Sequence, residues 1–168
     1  METNYLYLAL AALVPMVIGF VWYGPLFGKA WMKQMGFTEE SLKEGNMLLI
    51  FILSYVFSFF IAFFLQFITV HQLGAFSSMM ESGATELTTE AAADFQNFLA
   101  KYGGNYKDFK HGLLHGALTG VFFALPILAI QAMLERKKFK YIAINAGYWI
   151  ITLGIMGGIV CQFAVTLG

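Results

Sequence analysis

Three histidines are the residues of this chain best suited to chemistry. His111 and His115 stand four residues apart, which on a helix puts both imidazoles on one face. His71 falls at the end of one long apolar run, and the other two open the next. Gln66, Thr119 and Gln162 are polar groups set within apolar runs near the same end, and Asp108 and Lys110 flank the pair. Three readings of this group are open. The rings can anchor helix ends at a membrane interface or hydrogen-bond between helices. His71, His111 and His115 can form a three-nitrogen set for zinc or copper, although no carboxylate or cysteine at the right depth adds to it. The group can also respond to pH, because imidazole titrates near neutrality. A haem pair has the right ligand type but lacks an attachment motif.

Little else in the chain suggests catalysis. Cys161 is the single cysteine, so no intramolecular disulfide exists, and a thiol inside an apolar helix is expected to be inert. No phosphate-binding glycine loop, nucleophile elbow or metalloprotease motif occurs. No catalytic residue and no cofactor is assigned on this basis, and an enzyme is the least supported class.

The elements that must carry these residues follow from composition. Of 168 residues, 59% are apolar and 12% are charged, about half the charged share of a soluble domain. The ten basic residues fall in three stretches separated by long apolar runs. A spanning helix needs about 20 apolar residues. Residues 5–23, 47–70, 112–134 and 141–167 qualify, and none of them contains Asp, Glu, Lys or Arg. Backbone in lipid must satisfy its own hydrogen bonds, and the runs do not alternate apolar with polar, so helices are expected rather than barrel strands. The fold class is all-α, a polytopic four-helix membrane bundle forming one domain. The N-terminal run is not expected to be a signal peptide, since no basic residue precedes it and Trp22, Tyr23 and Pro25 end it.

Orientation follows from basic residues. Lys29, Lys33, Lys43, Arg136, Lys137, Lys138 and Lys140 lie on one side, seven against Lys101, Lys107 and Lys110 on the other. The chain is expected in the inner membrane with the seven in the cytoplasm and both termini outside. Residues 27–35 read as a short interfacial helix, with Thr38 as an N-cap just beyond. In the outer loop, residues 71–110, the stretch 89–102 reads as an amphipathic helix with Ala91, Phe95, Phe98, Leu99 and Tyr102 as its apolar stripe. Trp22, Trp31 and Trp149 are expected in a cytoplasmic-side aromatic belt. Gln131 and Asn145 are amides that could pair across the third loop.

Small residues predict the packing. Gly112, Gly116 and Gly120 repeat every four residues on the third span, a spacing that lets another backbone come close. Gly147, Gly154, Gly158 and Cys161 share a face of the fourth, and Ser54, Ser58 and Ala62 lead to Gln66 on the second. These stripes serve packing within the chain or a homo-oligomer. Pro15 and Pro126 should bend the first and third spans. Residues 19–26 faintly echo residues 120–127, each with glycine six places before proline.

Two segments carry a family resemblance. Residues 22–33, Trp-Tyr-Gly-Pro-Leu-Phe-Gly-Lys-Ala-Trp-Met-Lys, continue to Met-Gly-Phe-Thr-Glu-Glu at 35–40. Residues 109–116, Phe-Lys-His-Gly-Leu-Leu-His-Gly, are followed by Ala-Leu-Pro at 124–126. Together they resemble an uncharacterised bacterial membrane-protein family, domain of unknown function 1761, over nearly the whole chain. The resemblance implies a small multi-span bacterial protein and no particular activity. Two function classes stay open: transport or permeation of a small solute, and a scaffold or regulatory interaction protein without catalysis. The expected partners are the lipid bilayer and a second copy of the chain. Zero net charge gives no field to attract nucleic acid.

Overall fold

A computed structural model describes residues 1–43 and 45–167. Among the described residues, four helices are long and apolar enough to cross a membrane: α1 (Tyr5–Leu26), α4 (Met47–Thr69), α7 (Phe109–Leu134) and α8 (Phe139–Phe163). Shorter helices join them. Helices α2 (Gly28–Met35) and α3 (Glu39–Lys43) follow α1, and α5 (His71–Ser78) and α6 (Thr89–Tyr102) follow α4. The chain is an all-α polytopic bundle. Its strands are two residues each, β1 (Glu2–Thr3) and β2 (Val165–Thr166), paired antiparallel with Glu2 opposite Thr166. This clip puts both termini at one end of the bundle, together with α5, α6 and the start of α7.

Helix α8 is the central element. Of its most apolar stretch 56% is buried, against 28%, 17% and 11% for α1, α4 and α7. The core around it is Leu8, Ala11, Ala62, Leu65, Leu153, Met156, Val160 and Ala164. The outward faces are also apolar, with Phe20, Phe57, Phe60, Phe64, Phe122 and Phe123 all exposed. Such a surface suits hydrocarbon as its solvent.

The glycine stripe of α7 lies on α8. A side chain at Gly112 would overlap the backbone of Gly157, one at Gly116 the carbonyl of Leu153, and one at Gly120 the backbone of Ile150. The stripe is therefore occupied within the chain. On α8, Gly158 meets the ring of Phe109, while Gly154 has only ordinary contacts with Leu113 and Ala117. A side chain at Gly157 would also overlap the Gly112 carbonyl, although Gly157 lies one position off the four-residue repeat. Gly147 packs on Trp22 of α1. On α4 the small-residue face begins at Ser58, because Ser54 is exposed.

Several boundaries differ from those expected. The first span runs three residues further, to Leu26, but it is kinked there: Gly24, just before Pro25, leaves the helical region at φ −94°, ψ −106°. Pro15 has no N–H to give, and the chain around it tightens to bonds from Leu13 N to Leu10 O and from Met16 N to Leu13 O, both 3.1 Å. The third span begins at Phe109, where Asp108 caps it by accepting from His111 N at 2.9 Å. A π turn, Gly120–Ala124, precedes Pro126. Widening the helix there separates the proline ring from the preceding carbonyls. The two segments of the faint internal echo thus differ: the first holds a kink at Gly24 and the second a π turn, each just before a proline. The fourth span stops at Phe163 instead of 167, since Val165 and Thr166 pair as a strand.

The interfacial helix and the outer-loop helix are both present. Gly36 ends α2 in the left-handed region at φ 76°, where glycine carries no steric penalty. Helix α6 begins on a Thr88 cap and buries Phe95 against Phe76 of α5.

Candidate functional site

His71 reaches the other two histidines through a break in the chain. Helix α4 ends at Thr69, whose hydroxyl turns back to donate to Leu65 O at 2.9 Å. Val70 is extended (φ −105°, ψ 94°), and His71 opens α5. It is the first residue of a new helix, not the end of the second span. Gln72, the next residue, is buried and donates to Gly103 O (2.8 Å) and Asn105 O (3.0 Å). That pair of bonds ties α5 to the chain after α6 and fixes where His71 points.

The three rings converge. His71 Nε2 lies 2.9 Å from His111 Nε2. Ring centroids are 4.8 Å apart for His71–His111, 5.0 Å for His71–His115 and 4.3 Å for His111–His115. One nitrogen from each ring lies within 4.8 Å of the others. The short contact needs one Nε2 to donate and the other to accept, so at least one of the two rings is neutral. His71 is exposed and His111 and His115 are half-buried, so the cluster opens to the surface.

The remaining polar residues of the expected site go elsewhere. Gln66 is buried and accepts from Thr3 Oγ1 at 3.1 Å, linking α4 to the terminal clip. Thr119 donates to His115 O at 2.8 Å within its own helix. Gln162 is exposed, and its backbone carbonyl accepts from Lys107 Nζ at 3.3 Å. Burial pulls the pKa of Lys107 below the ordinary lysine value. Asp108 serves the backbone of His111 as an N-cap. Sequence reasoning missed Tyr106, whose ring lies 5.2 Å from His111 and 6.4 Å from His71. Its positive φ of 58° is set by the turn before α7, and no residue pattern announces it. Cys161 is buried with Sγ 3.2 Å from Thr69 O and 3.4 Å from Tyr106 O, so its one S–H serves either carbonyl.

At the other end, the segment 22–31 makes an aromatic cluster against α8. Trp22 Nε1 donates to Ile144 O at 2.9 Å, and Tyr23 Oη donates to Asn145 Oδ1 at 2.8 Å. The Tyr23 ring also meets Trp31 edge to face (5.4 Å) and Tyr148 at a tilt (5.1 Å). The Tyr148 hydroxyl donates to Pro15 O at 2.8 Å. Asn145 therefore does not pair with Gln131, which donates to Glu135, just past the end of its own helix, at 3.0 Å. Trp149 is not in the belt. It stands ten residues into α8 from Phe139, about 15 Å along the helix axis, and lines a lateral groove.

That groove, about 780 Å³, lies between α4 and α7 over α8. Phe60, Phe64, Phe122, Phe123 and Trp149 form its walls, and Thr119 is its polar side chain. The π turn of α7 supplies Phe122, Phe123 and Ala124.

Comparison with known proteins gives one match. The model of a family described as a protein of unknown function (DUF1761) matches residues 6–161. No curated protein matches. No solved structure matches.

Proposed function

The chain belongs to the DUF1761 family of unknown function, and from that premise we propose that it is a small bacterial inner-membrane protein that works by binding, as a scaffold or regulatory protein, and not by conducting a solute along its axis. The observation that carries this reading is the closed core. The core cluster around α8, from Leu8 to Ala164, is apolar. Buried Gln66, Thr69 and Gln72 sit near the histidine end, and Ser58 and Thr152 are the buried polar side chains further down. A polar solute would need a continuous polar or wet track, and charged residues usually mark such a path. The four helices support a membrane setting. The seven-to-three bias of basic residues supports termini outside and the α7–α8 turn in the cytoplasm.

The test is flux. Purified protein in vesicles loaded with a small hydrophilic dye should leak no faster than protein-free vesicles. A protein-dependent leak would overturn the reading in favour of permeation.

A second reading rests on the groove. Its volume lies in the range of small-molecule sites, and it faces sideways, so an apolar solute could enter from the bilayer. A variant with Trp149 as its sole tryptophan should be quenched by phospholipid brominated on its chains, and an added apolar solute should relieve that quenching. Quenching that no solute relieves would leave the groove to lipid and remove the transport reading.

A further inference from the structure

We propose that His71, His111 and His115 form a metal site, three imidazole nitrogens that hold one divalent transition-metal ion of the zinc class at the end of the bundle bearing the termini. The geometry is close to what the ion requires. Zinc sits about 2.0–2.1 Å from each histidine nitrogen in a tetrahedron, which separates any two ligand nitrogens by about 3.3 Å. His71 and His111 already have their Nε2 atoms 2.9 Å apart, and one nitrogen of each ring lies within 4.8 Å of the others. Loading the ion spreads the closest pair by a few tenths of an ångström and draws His115 inward. Ring rotation about exposed and half-buried side chains supplies such movements without disturbing the backbone.

The backbone is arranged for this meeting. The pair on α7 is fixed by the helical repeat and by the Asp108 cap. His71 arrives from a separate helix, turned by the break at Val70 and held by the two bonds of Gln72. Interfacial anchoring requires none of this, because a lone histidine at a helix end reaches the headgroups by itself. The donor set excludes calcium and magnesium, which take oxygen ligands, and suits zinc, copper or nickel. Three protein nitrogens leave a fourth position, and the exposure of His71 opens it to water. A bound ion also joins α5 to α7 and so pins the outer loop to the bundle.

The experiment uses full-length protein in detergent, freed of any affinity tag and treated with chelator, then titrated with Zn²⁺ alone at neutral pH. One ion per chain is expected, with X-ray absorption showing three imidazole nitrogens at about 2.0–2.1 Å. Loss of an outer partner of a metal ligand alone costs 10- to 100-fold in affinity, so His71→Ala, His111→Ala and His115→Ala should each weaken binding about 100-fold or more. Gln162→Ala, on the same end but outside the cluster, should bind like the parent. Zn²⁺ should raise the melting temperature of the parent and of Gln162→Ala and leave the three histidine variants unmoved, which also reports whether they are folded. No binding at micromolar Zn²⁺, binding that survives His71→Ala, or a shell of oxygens would each overturn the proposal.

Discussion

Single hydrogen bonds hold the ends of this bundle. Gln72 has both amide hydrogens on backbone carbonyls, Gly103 O and Asn105 O, in a buried position. Gln72→Leu leaves the buried Gly103 carbonyl without a partner, and a buried orphan costs about 1–3 kcal/mol. The expected outcome is a lower melting temperature together with faster proteolysis between α5 and α7, read by mass spectrometry. Cleavage unchanged from the parent would show that water replaces the amide. Tyr23 is a milder case. Tyr23→Phe removes only the bond to Asn145 Oδ1 and keeps the ring contacts with Trp31 and Tyr148. A loss of about 0.5–1.5 kcal/mol is expected, measured by denaturation in mixed micelles.

Two glycines on facing helices separate close contact from mere smallness. Gly116 of α7 has the Leu153 carbonyl where a Cβ would go, whereas a Cβ on Gly154 of α8 would sit 3.4 Å from Leu113 O. Gly116→Ala must push α7 away from α8 along the tightest seam of the protein, and overpacking of this kind costs about 1–3 kcal/mol. Gly154→Ala should be near neutral, with the gain in helix propensity offsetting a slight crowding. Melting temperatures of the two variants, compared in one detergent, check the contrast. Equal behaviour would mean that the seam is looser than the backbone distances imply. The proline-linked irregularities belong to the same scale. Gly24 kinks α1 before Pro25, and the π turn of α7 shapes the wall of the lateral groove.

For the whole molecule, the terminal clip makes the two chain ends one marker of orientation. Asn4 N donates to Ala164 O at 2.8 Å, and β1 pairs with β2. A cysteine at Glu2 should therefore react with an impermeant thiol reagent added to intact cells whose outer membrane is permeable. A cysteine at exposed Lys138 should react only after the inner membrane is opened. Native Cys161 is buried and should stay silent in both cases. Reversed labelling would overturn the orientation drawn from basic residues. The same end carries the histidine cluster, so the labelling also reports from which side a metal ion would arrive.

The spans, their number and the amphipathic helix at Thr89–Tyr102 were legible in the sequence, because each depends on a local run of residues whose burial in lipid or against one face needs no partner to be specified. The spacing of His111 and His115 was legible for the same reason. The meeting of His71 with them was suggested only by membrane topology. Its realisation depends on the turn at Val70 and on the anchoring of Gln72 more than thirty residues away along the chain. Gln66, Thr119 and Gln162 sit at the expected depth yet turn to other partners, since depth sets height along a helix and not the direction of a side chain. Asn145 chose Tyr23 over Gln131, and Trp149 entered the groove, for the same cause. Height along each helix is a property of sequence alone, whereas rotation about the helix axis is decided by which neighbour fills the space, and here the backbone seam between α7 and α8 decided it.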